Sequence, residues 1–254
     1  MSHNLDSQCY WYNRITMIYT SFSLRFGAML LLCGCTNSYS VEQYGGMREV
    51  RREGHTQPRI ALRDVTGEPG AIAVGALAGL GGEITIVYGE TWVARSIDGN
   101  ANVTGPTTSP HDQATLLTAS HVDSWIEITL PDGATAAQLA KMVSDTASDH
   151  GLNSTNPFPF IIEGDFTELE LHVIAGSCPI ANPNGEQPWR YTSTTPIHGL
   201  LVGFHAQDQE GVMTHHSSNV HMHALIPGGD DTLTGHVDHV IVEPGGILRI
   251  PSDS

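Results

Sequence analysis

"SNVHMHALIPGGDDTLTGHVDHV" (Ser218–Val240) decides how the chain is read. Side chains alternate along an extended strand, so in "NVHMHALI" His221, His223 and Leu225 share one face. Met222, Ala224 and Ile226 take the other face. Pro227, Gly228, Gly229, Asp230 and Asp231 supply turn chemistry, and "GHVDHVIV" returns as a second strand. A register that pairs His223 with His236 sets His221 opposite Asp238, and directly opposed residues face the same way at close range. His221, His223 and His236 then converge. Three imidazoles are the donor set of a zinc ion, or another divalent transition metal, that keeps one position open for water or substrate. A slip of one residue would turn His236 away.

The competing reading is a set of solvated histidines on an edge strand, because H-x-H alone is a weak signal. A cupin also uses H-x-H on a strand, but the glutamate and second histidine motif it needs do not follow "HMHALIPGG" in the expected form. His239 is expected to face away from His236, and Asp238 to hold a ligand histidine from behind. His215 and His216, in the loop just upstream, either line the site or sit in solvent.

Outward from this hairpin the pattern is rich in strands. "AIAVGAL", "EITIV", "TWVARSI", "DSWIEITLP", "HGLLVGFHA" and "GILRI" are β-type runs separated by turn residues, with Tyr88-Gly89 and Asp98-Gly99 as hairpin turns. "NANVTGPTTSPHDQ" and "CPIANPNGEQPWRYTSTTP" read as loops. Glu163-Gly164-Asp165 reads as a break between two strands. One helix is expected over about residues 134–150, where Leu139, Met142, Val143 and Ala147 follow helical spacing before Gly151. The class is α+β, with mostly antiparallel or mixed sheets and one main helix.

The 254 residues allow a large core, and a formal net charge of −16 disfavours nucleic acid and anionic lipid headgroups as partners. Near the start, Arg25 precedes an apolar run that ends in Leu32-Cys33-Gly34-Cys35. This resembles a bacterial lipoprotein signal in which Cys35 is lipidated. The run is shorter than the ~20 residues needed to span a bilayer. Residues 1–35 are therefore expected to be a signal peptide, with Met17 as an alternative start, and the lipid is the only expected membrane contact. The expected location is the bacterial cell envelope, on its periplasmic or extracellular face. Residues 36–69, polar and carrying five arginines, are expected to be a tether, with "RIALRDV" as an early piece of the domain in the alternative. The domain proper is expected over 70–254. Past Cys35 only Cys178 remains, which excludes an internal disulfide.

The block "GLLVGFHAQDQEGVMTHHSSNVHMHALIPGGDDTLTGHVDHV" resembles the C-terminal motif region of the α-acetolactate decarboxylases. Gly82-Glu83, in "GALAGLGGEITIVYGETWVARSIDG", resembles that family's "DGE" motif, and "FIIEGDF" its "R-I-D-G-x-F" segment. The resemblance implies that family's fold and a zinc ion on His221, His223 and His236. It also implies Glu83 as the carboxyl group that delivers a proton to the product. The implied reaction is decarboxylation of a small anionic keto acid, α-acetolactate to acetoin, with zinc as Lewis acid. Three features depart from the pattern. Ile161 stands where the family has an arginine, Ala76 near where it has a threonine, and the chain stops at Ser254 where the family often extends to a further glutamate. With Ile161 in the arginine position, recognition of the substrate carboxylate is unassigned, and Arg95 and Arg190 are candidates only because they lie in the folded part. The second expectation is a metal-binding lipoprotein on the same fold with a different activity or none. The sequence leaves a homodimer open.

Overall fold

The computed structural model describes residues 39–107, 109–177 and 184–252. The signal reading, with Cys35, and the lone Cys178 lie outside them. The first half of the chain forms a seven-stranded antiparallel sheet: β1 (Val41–Tyr44), β2 (Ile60–Ala61), β3 (Ala71–Leu77), β4 (Glu83–Val87), β5 (Glu90–Ile97), β6 (Asn100–Thr104) and β7 (Gln113–His121). The second half forms an eight-stranded sheet: β8 (Trp125–Thr129), β9 (Ala134–Thr135), β10 (Phe158–Val173), β11 (Trp189–Ser193), β12 (Ile197–His205), β13 (Val220–Ile226), β14 (Leu233–Val242) and β15 (Ile247–Pro251). Two helices complete the described chain, α1 (Met47–Glu53) and α2 (Ala136–Asp149). The α2 helix matches the expected one. A reciprocal capping box between Thr135 and Gln138 starts it, and Leu139, Val143 and Ala147 are its buried stripe.

The second sheet closes on itself. β10 pairs β12, β12 pairs β13, β13 pairs β14, and β14 pairs β10 again. One long strand makes this closure. The first part of β10 lies on β12 and β15, and its last part on β14 and β11. The expected break at Glu163-Gly164-Asp165 is therefore not a turn. These three residues pair in unbroken register with Leu200, Gly199 and His198, so ladder hydrogen bonds override the turn composition. Two expected loops also contain strands, β6 and β11. Each is held by one neighbour, which lets polar residues stand in an edge position.

The main core lies between the sheets. One cluster holds Ile72, Val74 and Val87 of the first sheet together with Phe158, Phe160, Leu201, Val202 and Val240 of the second. A separate core covers the outer face of the first sheet, where Ala71, Ala73, Ile84, Ile86 and Leu117 are buried under Tyr44, Ile60, Leu62 and Val65. β4 is thus buried on both faces, with Glu83, Thr85 and Val87 toward the second sheet and Ile84 and Ile86 away from it.

That second core corrects the tether reading. From Tyr39 onward the segment is part of the fold. β1 pairs β7 through Val41↔Ser120 to Tyr44↔Leu117, and "RIALRDV" contains β2 and a buried Leu62. In α1 only Met47 and Val50 are buried, three residues apart on one face, packed on Ala76, Leu80 and Leu116. Two apolar residues in a polar run leave the composition tether-like, although they carry the packing. Among the described residues no helix is long and apolar enough to cross a membrane.

Candidate metal centre

The hairpin register falls where the alternation puts it. β13 and β14 pair from Ile226↔Leu233 to His223↔His236. The expected continuation, His221 against Asp238, does not follow. Past His236, β14 leaves β13 and runs on β10, with His172↔His236 and Leu171↔Val237. His236 therefore has a histidine opposite it on both neighbours. His223, His236 and His172 form one cross-strand row over β13, β14 and β10. Gly235 makes the close approach possible, since a Cβ there would lie 2.7 Å from the His172 carbonyl oxygen.

Around this row the imidazoles crowd. Ring centres lie 4.9 Å apart for His172–His236, 5.1 Å for His221–His236, 5.3 Å for His221–His223 and 5.6 Å for His223–His236. The loop before β13 adds His215, whose ring centre is 4.7 Å from that of His236. One ligand atom from each of His215, His221 and His236 fits within a 4.8 Å spread, an arrangement that could hold a metal ion. Sequence reading left His215 open; the structure places it on this cluster. His216 is exposed and pairs with Glu210, and His239 pairs with Glu168 outside the cavity.

Glu83 enters from the facing sheet. Its Oε2 is 3.6 Å from His223 Nε2 and its Oε1 is 4.0 Å from His172 Nε2. Gly82, at φ +149°, lets the chain pass so close to Ala94 that a Cβ would meet its carbonyl oxygen at 2.1 Å. Burial pushes the Glu83 carboxyl up to about 7, against the pull of His172 and the Ile174 backbone N–H, and Asp238 adds to the rise. Asp238 does not hold one of the three expected ligands. It accepts from His172 Nδ1 at 2.9 Å and from Arg190 Nη1 at 2.8 Å. Burial opposes the charged form of His172, but Asp238 and Glu83 together carry its pKa above the usual imidazole value. The other rings go the opposite way. Burial, then neighbouring rings, holds His221 and His236 well below the usual value, and burial with His172 takes His223 to about 3.

A chain of hydroxyl groups fixes the tautomer of His223. Thr234 Oγ1 donates to the Ala224 carbonyl at 2.7 Å. Its proton is thereby used, so in the 2.8 Å contact between Thr85 and Thr234 the donor is Thr85. Thr85 Oγ1, 3.1 Å from His223 Nδ1, must then accept from the ring. The ring proton sits on Nδ1 and the Nε2 lone pair is free. That Nε2 is buried with no hydrogen-bond partner, as is Nδ1 of His221. Two orphaned imidazole nitrogens, one with its tautomer set from behind, fit a metal ion and leave a costly deficit without one.

The cluster opens into a cavity of about 460 Å³. Glu83, His172, His221, His236 and Asp238 line it on the sheet side. Arg51, Met47 and Val50 of α1 line it too, with Ala76, Leu80 and Leu116 as further apolar wall. Of the two candidate arginines, Arg190 reaches the cavity and Arg95 pairs with Asp112 elsewhere. Ile161 is fully buried in the core and takes no part in the lining.

No family model and no curated protein sequence matches this chain. Solved structures do. The α-acetolactate decarboxylase from Bacillus subtilis strain 168 superposes with a TM-score of 0.62 at 16% identity, over 84% of this chain and 86% of that one. Acetolactate decarboxylase from B. subtilis subspecies spizizenii gives 0.58 at 17% identity, over 83% and 85%. A Staphylococcus aureus protein of unknown function, similar to α-acetolactate decarboxylase, gives 0.59 at 15% identity, over 83% and 84%. The resemblance first carried by the histidine block and Gly82-Glu83 thus extends through the architecture: the chain has the fold of the α-acetolactate decarboxylases.

Proposed function

We propose that this domain is a metal-dependent decarboxylase of a 2-hydroxy-3-keto acid, with α-acetolactate to acetoin as the nearest reaction. The observation that carries the reading is Glu83, buried on a strand of one sheet and facing a histidine cluster on the other. We assign the metal, zinc or another divalent transition ion, to His221, His223 and His236. His221 and His236 belong to both histidine trios. His223 is preferred over His215 as the third because its Nε2 lone pair is free and buried, whereas His215 Nδ1 accepts from Arg51 at 3.0 Å. When bound, the metal would supply Lewis acidity toward the hydroxyl and keto oxygens of the substrate.

The residues around it have separate tasks. Loss of carbon dioxide breaks the bond between the carboxyl carbon and the hydroxyl-bearing carbon, and the electron pair stays with the larger fragment. A proton must then reach that fragment, and the Glu83 carboxyl is placed to deliver it. His172, held by Asp238, stands beside Glu83 and orients it. Apolar neighbours Met47, Val50, Leu80 and Leu116 keep water from much of the cavity. With Cys35 lipidated, the enzyme would act at the cell envelope.

The test is metal content and acetoin release by the purified protein, with Glu83→Gln and His223→Ala beside it. The reading expects about one equivalent of metal, release of acetoin from acetolactate, loss of both in His223→Ala, and loss of activity alone in Glu83→Gln. Bound metal without acetoin would favour the second expectation, a metal-binding protein with another activity or none. No bound metal would defeat both.

A further inference from the structure

We infer that Arg51 is the residue that receives the carboxylate of the substrate. This rests on the functional reading above but can fail separately from it. The chain carries a net charge of −16, and among the described residues Arg59, Arg63, Arg95, Lys141, Arg190 and Arg249 are each paired with an acid. Arg190, at the cavity, is held by Asp238. Arg51 lines the same cavity, and the partner it has there is a ring nitrogen, Nδ1 of His215 at 3.0 Å. That nitrogen can accept only while the ring is neutral. The guanidinium has only donors, so in this contact Nδ1 accepts and carries no proton. Arg51 is thus a half-buried guanidinium whose charge no neighbouring carboxylate offsets among the described residues. A guanidinium offers five donors in a planar fork, and one neutral acceptor leaves the fork mostly unused.

The position of Arg51 is built. α1 begins at Gly46 with no side-chain cap. Its first two N–H groups, of Met47 and Arg48, donate instead to the carbonyls of Val212 at 3.1 Å and Gly211 at 2.7 Å. Those carbonyls belong to the loop that carries His215. The helix and the loop are therefore clamped together, with Arg51 one turn inside and its head against His215. His215 in turn packs on His236. Two arginines line this cavity, and of the two Arg190 is already paired with Asp238, which leaves Arg51 to meet a small acid bound at the histidine cluster. Met47 and Val50, on the same helix, give its apolar substituents a surface.

Two measurements test this on the metal-loaded protein. The first is calorimetric binding of 2,3-dihydroxy-2-methylbutanoate, a carboxylate that cannot decarboxylate by this route, against its neutral methyl ester. The second is the steady-state kinetics of acetolactate decarboxylation. Arg51→Gln should weaken binding of the acid about 10- to 100-fold, the range of a charge-assisted hydrogen bond, and leave the ester unchanged. KM should rise by a similar factor with a smaller change in kcat. Arg51→Lys should recover part of the loss, since a point charge replaces the fork. Arg52→Gln, exposed on the same helix, should behave as the parent protein. Equal affinity of the parent and Arg51→Gln for the acid would overturn the inference, and so would failure of the parent to bind the acid at all. If acetoin is never formed but the acid still binds through Arg51, the decarboxylase reading fails and the carboxylate site stands.

Discussion

His223, His236 and His172 are placed by three paired strands, while Met47, Val50 and Arg51, across the same cavity, are placed by a helix of seven residues held at its first turn. The strand wall is a fixed lattice. Each histidine there has backbone ladder bonds beside it, and His223 has a hydroxyl relay behind it. The helix wall depends on a few distant contacts. Rigid placement suits groups that must converge on one small ion within tenths of an ångström.

Acid should separate the two walls most sharply. In metal-free protein, His215, His221, His223 and His236 are held neutral below the usual imidazole pKa of 6.5, two of them to about 4 and about 3. The unfolded chain takes up protons from about 6.5 downward, and the folded chain does so only at lower pH. Their contribution to stability is therefore fully present above 6.5 and is lost as pH falls toward 4 and below. Glu83 and His172 have the opposite sign, since their raised pKa values favour the fold at low pH, but they are two groups against four. Urea midpoints across pH 7.5 to 4 would show the loss; a flat profile would contradict the neutral, buried rings.

His236→Ala removes the centre of the strand row. Metal affinity should fall more than 100-fold, beyond the ~10–100-fold that an outer partner costs, as read by competition with a chelator dye. On the other wall, Met47→Ala should cost about 2 kcal/mol of stability in denaturant melts, at the low end for a buried methionine because its helix can partly settle. A true tether would show no change there. Thr85→Val keeps the shape but breaks the relay to His223 Nδ1. It should weaken metal binding about tenfold and leave substrate KM nearly unchanged.

The two walls also differ in how far the sequence discloses them. His221, His223 and His236 alternate along strands joined by a Gly- and Asp-rich turn, so face and register follow from local spacing. The main helix was legible for the same reason, through its 3.6-residue period, whereas local spacing at Glu83 reads as an exposed hairpin carboxylate and only the likeness of Gly82-Glu83 to a family motif singled it out. His172 was not. It lies in "FTELELHVIAG", and its place beside His236 comes from β14 leaving β13 for β10, a pairing between segments far apart in the chain. Asp238 was expected behind a ligand and instead holds His172, through the same switch. α1 was hidden differently. Five arginines between 36 and 69 give that stretch the composition of a solvated linker, and the buried residues that contradict it, Met47, Val50 and Leu62, are too sparse to form a pattern. Their burial depends on Ala76, Leu80 and Leu116, and on a loop near residue 211.

The clamp between α1 and that loop also orders events during synthesis. Arg51 and His215 are 164 residues apart, so the helix leaves the ribosome long before the carbonyls that hold its first turn exist. Seven residues are too few for a helix to persist in water by itself. The cationic corner of the cavity is then the last part to take shape, closed by the C-terminal third of the chain returning to its beginning. A nascent chain halted before Gly211 would have all seven strands of the first sheet but not the loop that holds the first turn of α1.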